Sequence, residues 1–344
     1  MEGRLENEQK KDKSIENILS RLPSVITDWN DRLEVASKTP ATRLDYLRKV
    51  YAFLTTVTDD TVNYDFHNLK DSDIVRFLKS IRTREVDKDG RTMTMQTSDS
   101  YKMTYWYCLN NLCKYLVYEH YMESNPMDNI DKPKNHDLDR INEHRVLLTA
   151  RDFKRIVNAI TKENAASIDG LSFVNRDKAI ILTFMTTGMR CTALTEINIG
   201  DINFDEETLE IIDKGDKPHQ YHINKELSEA LHSWIKDRKE MLGEKANETD
   251  ALFLSKFLDR ITSDGVSGIV KKYTQIALGK PLSPHKLRSG FCSIMYSKTH
   301  DIEFVRRAVG HSNVATTQRY IVTNKDEKKK SAEIMESILG GGDD

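Results

Sequence analysis

Long apolar runs are missing from this chain. No stretch approaches the roughly 20 consecutive apolar residues that a membrane-spanning helix needs. The charged opening "MEGRLENEQKKDKSIENIL" lacks the apolar segment of a secretory leader. A cytoplasmic protein with no membrane partner is therefore expected. Cysteine is scarce: Cys108, Cys113, Cys191 and Cys292 form no C-x-x-C pair and no framework spacing. That excludes a disulfide scaffold and a cysteine zinc site, and predicts reduced, buried thiols. There is no internal repeat and no long low-complexity segment. What is present suits ordinary folding. The 344 residues are 38% hydrophobic and 31% charged, enough for about two domains with real cores.

An excess of basic charge is also lacking, since the formal net charge is −2. Taken alone, this argues against a nucleic-acid partner. Distribution matters more than the total. From Val266 to His300 there is no Asp or Glu, whereas Lys271, Lys272, Lys280, Lys286, Arg288 and Lys298 all fall there. Acids crowd elsewhere, as in "DINFDEETLE". A neutral protein can thus carry one basic face.

Periodicity predicts two helical regions. Ile15, Ile18, Leu19 and Leu22 share one helical face before Pro23 interrupts it. "KTPATRLDYLRKVYAFLTTV" predicts a helix capped by Thr39 with Pro40 in its first turn. A short helix over "DSDIVRFLKSI", a charged loop around Gly90 and a long helix from Ser98 follow. Pro126 and Pro133 then break the pattern. This organisation predicts a helical extension over 1–37, a helical bundle over 38–131 and a linker over 132–146. A second domain, 147–323, begins with a capping box at Thr149 and Asp152. "DKAIILTFMTTGMR" predicts an apolar helix ending near Gly188, and "TLEIIDKGDKPHQYHI" a β-hairpin. Further helices follow, with a short amphipathic tail over 324–344. The fold class expected is mainly α, with a small antiparallel sheet in the second domain.

Six residues of that domain make a constellation. Arg190 follows "TTGM" at a helix end. Lys214 sits at the hairpin tip. His285 and Arg288 are three apart and share a helical face. His311 and Tyr320 lie in "GHSNVATTQRY". Each has an ordinary reading alone: a helix-end charge, a turn lysine, a capping histidine, a packing tyrosine. Together they form a kit for attack on a phosphodiester. Arginine forks match phosphate oxygens bidentately and stabilise developing negative charge. A tyrosine, with an ordinary pKa near 10, needs neighbouring cations or a base to act as nucleophile. A lysine can protonate a leaving oxygen.

The boxes "TTGMR", "IIDKGDK", "SPHKLRSGF" and "VGHSNVATTQRY" resemble those of the tyrosine recombinase (phage integrase) family, over roughly residues 38–323. The resemblance implies a SAM-like core-binding domain before an α+β catalytic domain, the two forming a clamp around duplex DNA. Tyr320 would attack the scissile phosphate, Arg190 and Arg288 would hold its nonbridging oxygens, and Lys214 would be the general acid, with Lys217 as understudy. His285 and His311 would assist proton transfer and bind phosphate. No metal or other cofactor is implied, because the covalent link keeps the energy of the broken bond. One position departs from the family: the acid usual three residues after the first arginine is Ala193, with Glu196 the nearest carboxylate.

Arg43, Arg48 and Lys49 on the early helix, and Gln96, Thr97, Ser98 and Lys102 around the long helix's start, are the candidate DNA contacts of the first domain. Lys271, Lys272 and Lys286 are those of the second. Ile334, Ile338 and Leu339 would anchor the tail on a neighbouring protomer in a tetramer. The expected function is site-specific recombination, integrating or excising a mobile element, on DNA bearing a specific site and with accessory DNA-bending proteins as further partners. The expected location is the nucleoid. Xer-like dimer resolution, a type IB topoisomerase and a non-catalytic DNA-binding protein are the alternatives.

Overall fold

The computed structural model describes residues 2–86, 92–134, 148–168, 170–213 and 217–310. Lys214, His311, Tyr320, Ile334, Ile338 and Leu339 lie outside the described residues, and of Gln96 and Lys217 only the backbone is described. The chain divides into two compact units, Met1–Arg145 and Val146–Asp344.

The first unit is built from α1 (Glu2–Leu19), α2 (Ser24–Val35), α3 (Pro40–Val57), α4 (Asp71–Ser80) and α5 (Asp99–Tyr118). Pro23 separates α1 from α2, because its ring has no N–H to continue the helical ladder. Thr39 caps α3 by accepting from the Thr42 N–H, with Pro40 in the first turn. Ile26, Leu47, Val50, Phe53, Leu54 and Ile74 are fully buried. Each such side chain stabilises the fold by about 1.5–3 kcal/mol. Ile15, Leu22, Val25, Trp29 and Leu33 belong to this same core. The stretch read from sequence as an extension is therefore, from Ile15 onward, an integral layer of the bundle. The charged loop expected around Gly90 gives way to a hairpin. Strands β1 (Arg82–Val86) and β2 (Thr92–Gln96) pair antiparallel, with Arg84 opposite Thr94 and Val86 opposite Thr92. Thr83, Val86, Thr92 and Thr94 are β-branched and suit a pleated strand. Their signal was outweighed in the sequence by the surrounding charge.

The second unit centres on α7 (Val174–Thr187), buried along most of its length. Around it pack α6 (Ala150–Asn158), α9 (Lys225–Leu242), α10 (Ser263–Leu278) and α11 (Pro284–Thr299). The capping box of α6 is present: Thr149 Oγ1 accepts from the Asp152 N–H, and the Asp152 carboxylate accepts from the Thr149 N–H. The short helices α8 (Cys191–Glu196) and α12 (Ile302–Ala308) complete the helical part. A small ladder joins β3 (Ser167–Ile168) to β4 (Leu171–Ser172). Strands β5 (Ile202–Asn203), β6 (Thr208–Asp213) and β7 (Lys217–His222) form an antiparallel sheet in that order. Asp213 pairs with Lys217 at the end where 214–216 connect the strands, and Thr208 with His222 at the open end. The mainly helical class with a small antiparallel sheet is thus as expected.

One buried polar network locks α7 to α10. Arg176 donates through Nε and Nη2 to Asp177 Oδ1, at 2.9 and 2.7 Å, and through Nη1 to the Leu254 carbonyl at 2.9 Å. The Tyr273 hydroxyl donates to Asp177 Oδ2 at 2.8 Å. Burial, then the Asp177 charge, push the Tyr273 phenol up, so it stays protonated and keeps donating. The network satisfies a buried ion pair that would otherwise be costly. No helix among the described residues is long and apolar enough to cross a membrane.

Candidate active site and nucleic-acid interface

Arg190 owes its position to the way α7 stops. Thr187 Oγ1 donates to the Thr183 carbonyl and accepts from the Met189 N–H. Gly188 then takes the left-handed conformation at φ +62° and closes the helix. A Cβ added there would lie 2.5 Å from Phe291 Cδ1, so both conformation and space demand glycine. Met189 is fully buried. Arg190 follows it as the extended residue that opens α8.

His285 and Arg288 come from α11. Pro284 starts that helix, putting His285 in its first turn and Arg288 one turn on. Arg288 is 3% exposed. Its Nη1 donates to the Gly188 carbonyl at 2.6 Å and its Nη2 to the Val309 carbonyl at 2.9 Å. Both acceptors stand at helix C-termini, of α7 and α12, where the backbone dipole favours a cation. One guanidinium therefore ties together three stretches far apart in sequence: the "TTGMR" turn, the "HKLR" helix and the residue before "GHSN". A guanidinium carries five N–H donors, so two anchors are compatible with a contact to a phosphate.

His285 keeps a solvent-exposed edge, yet its pKa is lowered. Partial desolvation by the protein packed around it comes first, followed by the charges of Arg288, Lys286 and Arg190. His285 and Arg288 share α11, and Arg288 holds the Gly188 carbonyl two residues before Arg190, so the three fall in one neighbourhood. The imidazole is consequently neutral near pH 7 and able to accept a proton. Cys292, one turn beyond Arg288, is buried, and burial pushes its thiol up to about 11 despite Arg288; it is no nucleophile. Ala193 is 4% exposed and belongs to the apolar core, while Glu196 is half-buried at the end of the same helix. Among the described residues no three His, Cys, Asp or Glu side chains converge as metal ligands would.

The expected DNA contacts divide sharply. Arg43 and Lys49 are 5% and 6% exposed. Arg43 donates bidentately to Glu34, 3.0 Å for each bond, and Lys49 pairs with Asp45. Arg43 is in register with Leu47, Val50 and Leu54 on α3, so its apolar stem lies along the core. These two cations are not at the surface for a phosphate. Thr97 is also buried, and the Ser98 hydroxyl caps α5 by accepting from the Tyr101 N–H at 3.2 Å. Lys102 lies 3.9 Å from Asp99. Arg48, Lys271 and Lys272 are exposed, and Lys286 is half-buried. The two carbonyl anchors of Arg288 were not legible in sequence; the glycine before "MR" was their only signal.

Comparisons with known proteins bear on the family of the chain. The model of the Phage integrase family matches residues 146–327, just over half of the chain, and spans all four boxes. A tyrosine recombinase XerC of Caldanaerobacter subterraneus is 36% identical over 202 residues, 58% of this chain and 52% of that protein. This chain thus spans about half the length of that relative. A tyrosine recombinase XerC of Histophilus somni is 25% identical over 82% of this chain and 86% of its own length. Among solved structures, the XerH site-specific recombinase bound to palindromic difH substrate superposes with a TM-score of 0.61 at 20% identity, over 89% of this chain and 85% of that one. Lambda integrase (75-356), as a dimer bound to a COC' core site, gives 0.60 at 17% identity, over 85% and 96%. These two likenesses show a shared fold, and together with the family match they establish that the chain belongs to the phage integrase family.

Proposed function

We propose that this protein is a site-specific DNA recombinase that cuts and rejoins duplex DNA through a phosphotyrosine. The phenol oxygen of Tyr320 attacks the scissile phosphorus. A bond from that oxygen to phosphorus forms as the bond to the 5′ oxygen breaks, leaving a 3′-phosphotyrosine and a 5′-hydroxyl. Lys214 supplies the proton to the leaving oxygen, and neutral His285 takes the phenol proton. Arg190 and Arg288 hold the nonbridging oxygens, and His311 donates to the phosphate. Attack by another 5′-hydroxyl on the phosphotyrosine completes strand exchange and regenerates the phenol. No step consumes a nucleotide or requires a metal.

The observation that carries this reading is the Arg288 guanidinium. It bonds the Gly188 carbonyl in the turn before Arg190 and the Val309 carbonyl, from the helix that also bears His285. Burial of Ala193 in the core supports a site in which carbonyls brace Arg288 and no acid stands at that position. Duplex DNA with a specific site, a tetramer joined through Ile334, Ile338 and Leu339, and DNA-bending proteins are the proposed partners, with the nucleoid as location. Integration or excision of a mobile element is the biological role favoured here. Likeness to proteins named XerC favours a second, resolution of chromosome dimers.

Nicked duplexes of randomised sequence, incubated with the protein and captured under denaturing conditions, test the chemistry. Wild type should yield a covalent adduct and Tyr320→Phe at least about a thousandfold less, since no other group replaces the nucleophile. An absent adduct, or one that survives Tyr320→Phe, refutes the reading. Sequencing the captured DNA separates the two roles: ends of an excised element against a single chromosomal site.

A further inference from the structure

Helix α3 presents two polar faces. Asp45 and Lys49, paired with each other, line a cavity against α5. On an adjacent side, Leu44, Arg48 and Tyr51 recur at helical spacing and face α1 across a cleft of about 420 Å³. The α1 side contributes Lys13, Asn17 and Ile18, and the turn after it contributes Arg21. The floor is apolar, from Ile18 and Leu44. The walls carry three cations and the donor groups of Asn17 and Tyr51. No carboxylate lines the cleft among the described residues. Neighbouring acids are directed elsewhere: Asp12 lies 3.6 Å from Arg43, and Glu34 binds Arg43. Among the described residues, none of Lys13, Arg21 and Arg48 has a carboxylate partner within 4 Å. Three cations around one concavity repel one another unless an anion enters, and the cleft's size suits a small ligand.

We infer that this cleft binds a chain of phosphates. Two arginine forks and a lysine match phosphate oxygens in geometry and in charge, where a lone carboxylate would neutralise one cation. From Lys13 to the end of α1 at Leu19 the helix rises roughly 9 Å at 1.5 Å per residue, and Arg21 lies in the turn beyond, so successive phosphates, not a single one, span them. The ligand assigned is a free polyphosphate or nucleotide, which fits a concave cleft of this size; the backbone of a DNA strand shares the chemistry and is the competing outcome of the test. The ligand would brace α1 against α3 in a part of the chain that precedes the matched family segment. The inference does not depend on strand cleavage.

Calorimetric titration of the full chain with tripolyphosphate, ATP and a duplex of arbitrary sequence tests it. Tripolyphosphate should bind more tightly than orthophosphate. Replacing Lys13, Arg21 and Arg48 together by Gln should weaken tripolyphosphate at least about tenfold, while Arg190→Gln leaves that binding in place. Arg48→Gln alone should give part of the loss, and an unchanged circular dichroism spectrum confirms folding. If the triple variant also lowers the salt slope of duplex binding, by roughly 0.9 for each phosphate no longer neutralised, the cleft serves the DNA backbone and the inference of a free ligand falls. An unchanged slope in a triple variant that has lost the tripolyphosphate binding seen in wild type assigns a free phosphorylated ligand. Tripolyphosphate binding that is absent in wild type, or equal in the triple variant, or abolished only by Arg190→Gln, overturns the inference. Failure of adduct formation leaves it intact, so the two readings fall separately.

Discussion

A single glycine and a single histidine set the terms of the site. Gly188 combines a positive φ with close approach to Phe291, and its carbonyl anchors Arg288. Gly188→Ala introduces both a strained backbone and an overlap of atoms, so a loss of about 2–4 kcal/mol is expected by urea unfolding. His285 gives a pH signature. Its folded-state pKa lies below the ordinary value near 6.5, so the unfolded chain binds the proton more readily. The stability it contributes is full above about pH 6.5 and is lost as pH falls through the lowered pKa. Unfolding free energies of wild type and His285→Gln should therefore converge between about pH 7.5 and 5.5, wild type losing more. Equal slopes for the two proteins would contradict the assignment.

At the level of elements, the instructive case is α3. Its sequence offers three cations, and hydrophobic periodicity alone does not say which of them faces water. Arg43 falls in line with Leu47 and Val50, and Glu34 of α2 waits for it. It acts as a clasp between α2 and α3. Arg43→Gln should therefore cost about 1–2 kcal/mol of stability, discounted because Glu34 is well exposed. The salt dependence of DNA binding should stay unchanged, where removal of a cation that neutralises a phosphate would flatten it. The hairpin of β1 and β2 makes a related point. Its threonines and valine carried a strand signal, but charge around Gly90 masked it. The pairing that decides between loop and hairpin lies in cross-strand contacts.

On the scale of the whole molecule, each unit has its own core. Domains with separate cores unfold with separate stabilities. Leu47 is fully buried in the first, so Leu47→Ala should cost that unit about 2–5 kcal/mol. Scanning calorimetry should show one transition moving down and the transition of the second unit staying in place. A single transition shifted as a whole would mean that the units unfold as one.

Local chemistry in the sequence determined a good deal. The Thr39 and Thr149 caps, the helix end at Gly188, the hairpin of β6 and β7 and the shared face of His285 and Arg288 all depend on residues within a few positions of one another. Their signals survive without a fold. The four boxes were legible for the same reason, since each is a short stretch with its own spacing. Tertiary structure decided what depends on partners distant in sequence. Arg288 reaches carbonyls 100 and 21 residues away, and Arg43 turns inward because Glu34 and the core lie on its side. Residues 15–35 join the bundle because Ile15, Leu22 and Trp29 find the same interior as Leu47. Burial and pairing are properties of the packed chain, and a linear pattern fixes the face of a helix without fixing what that face meets.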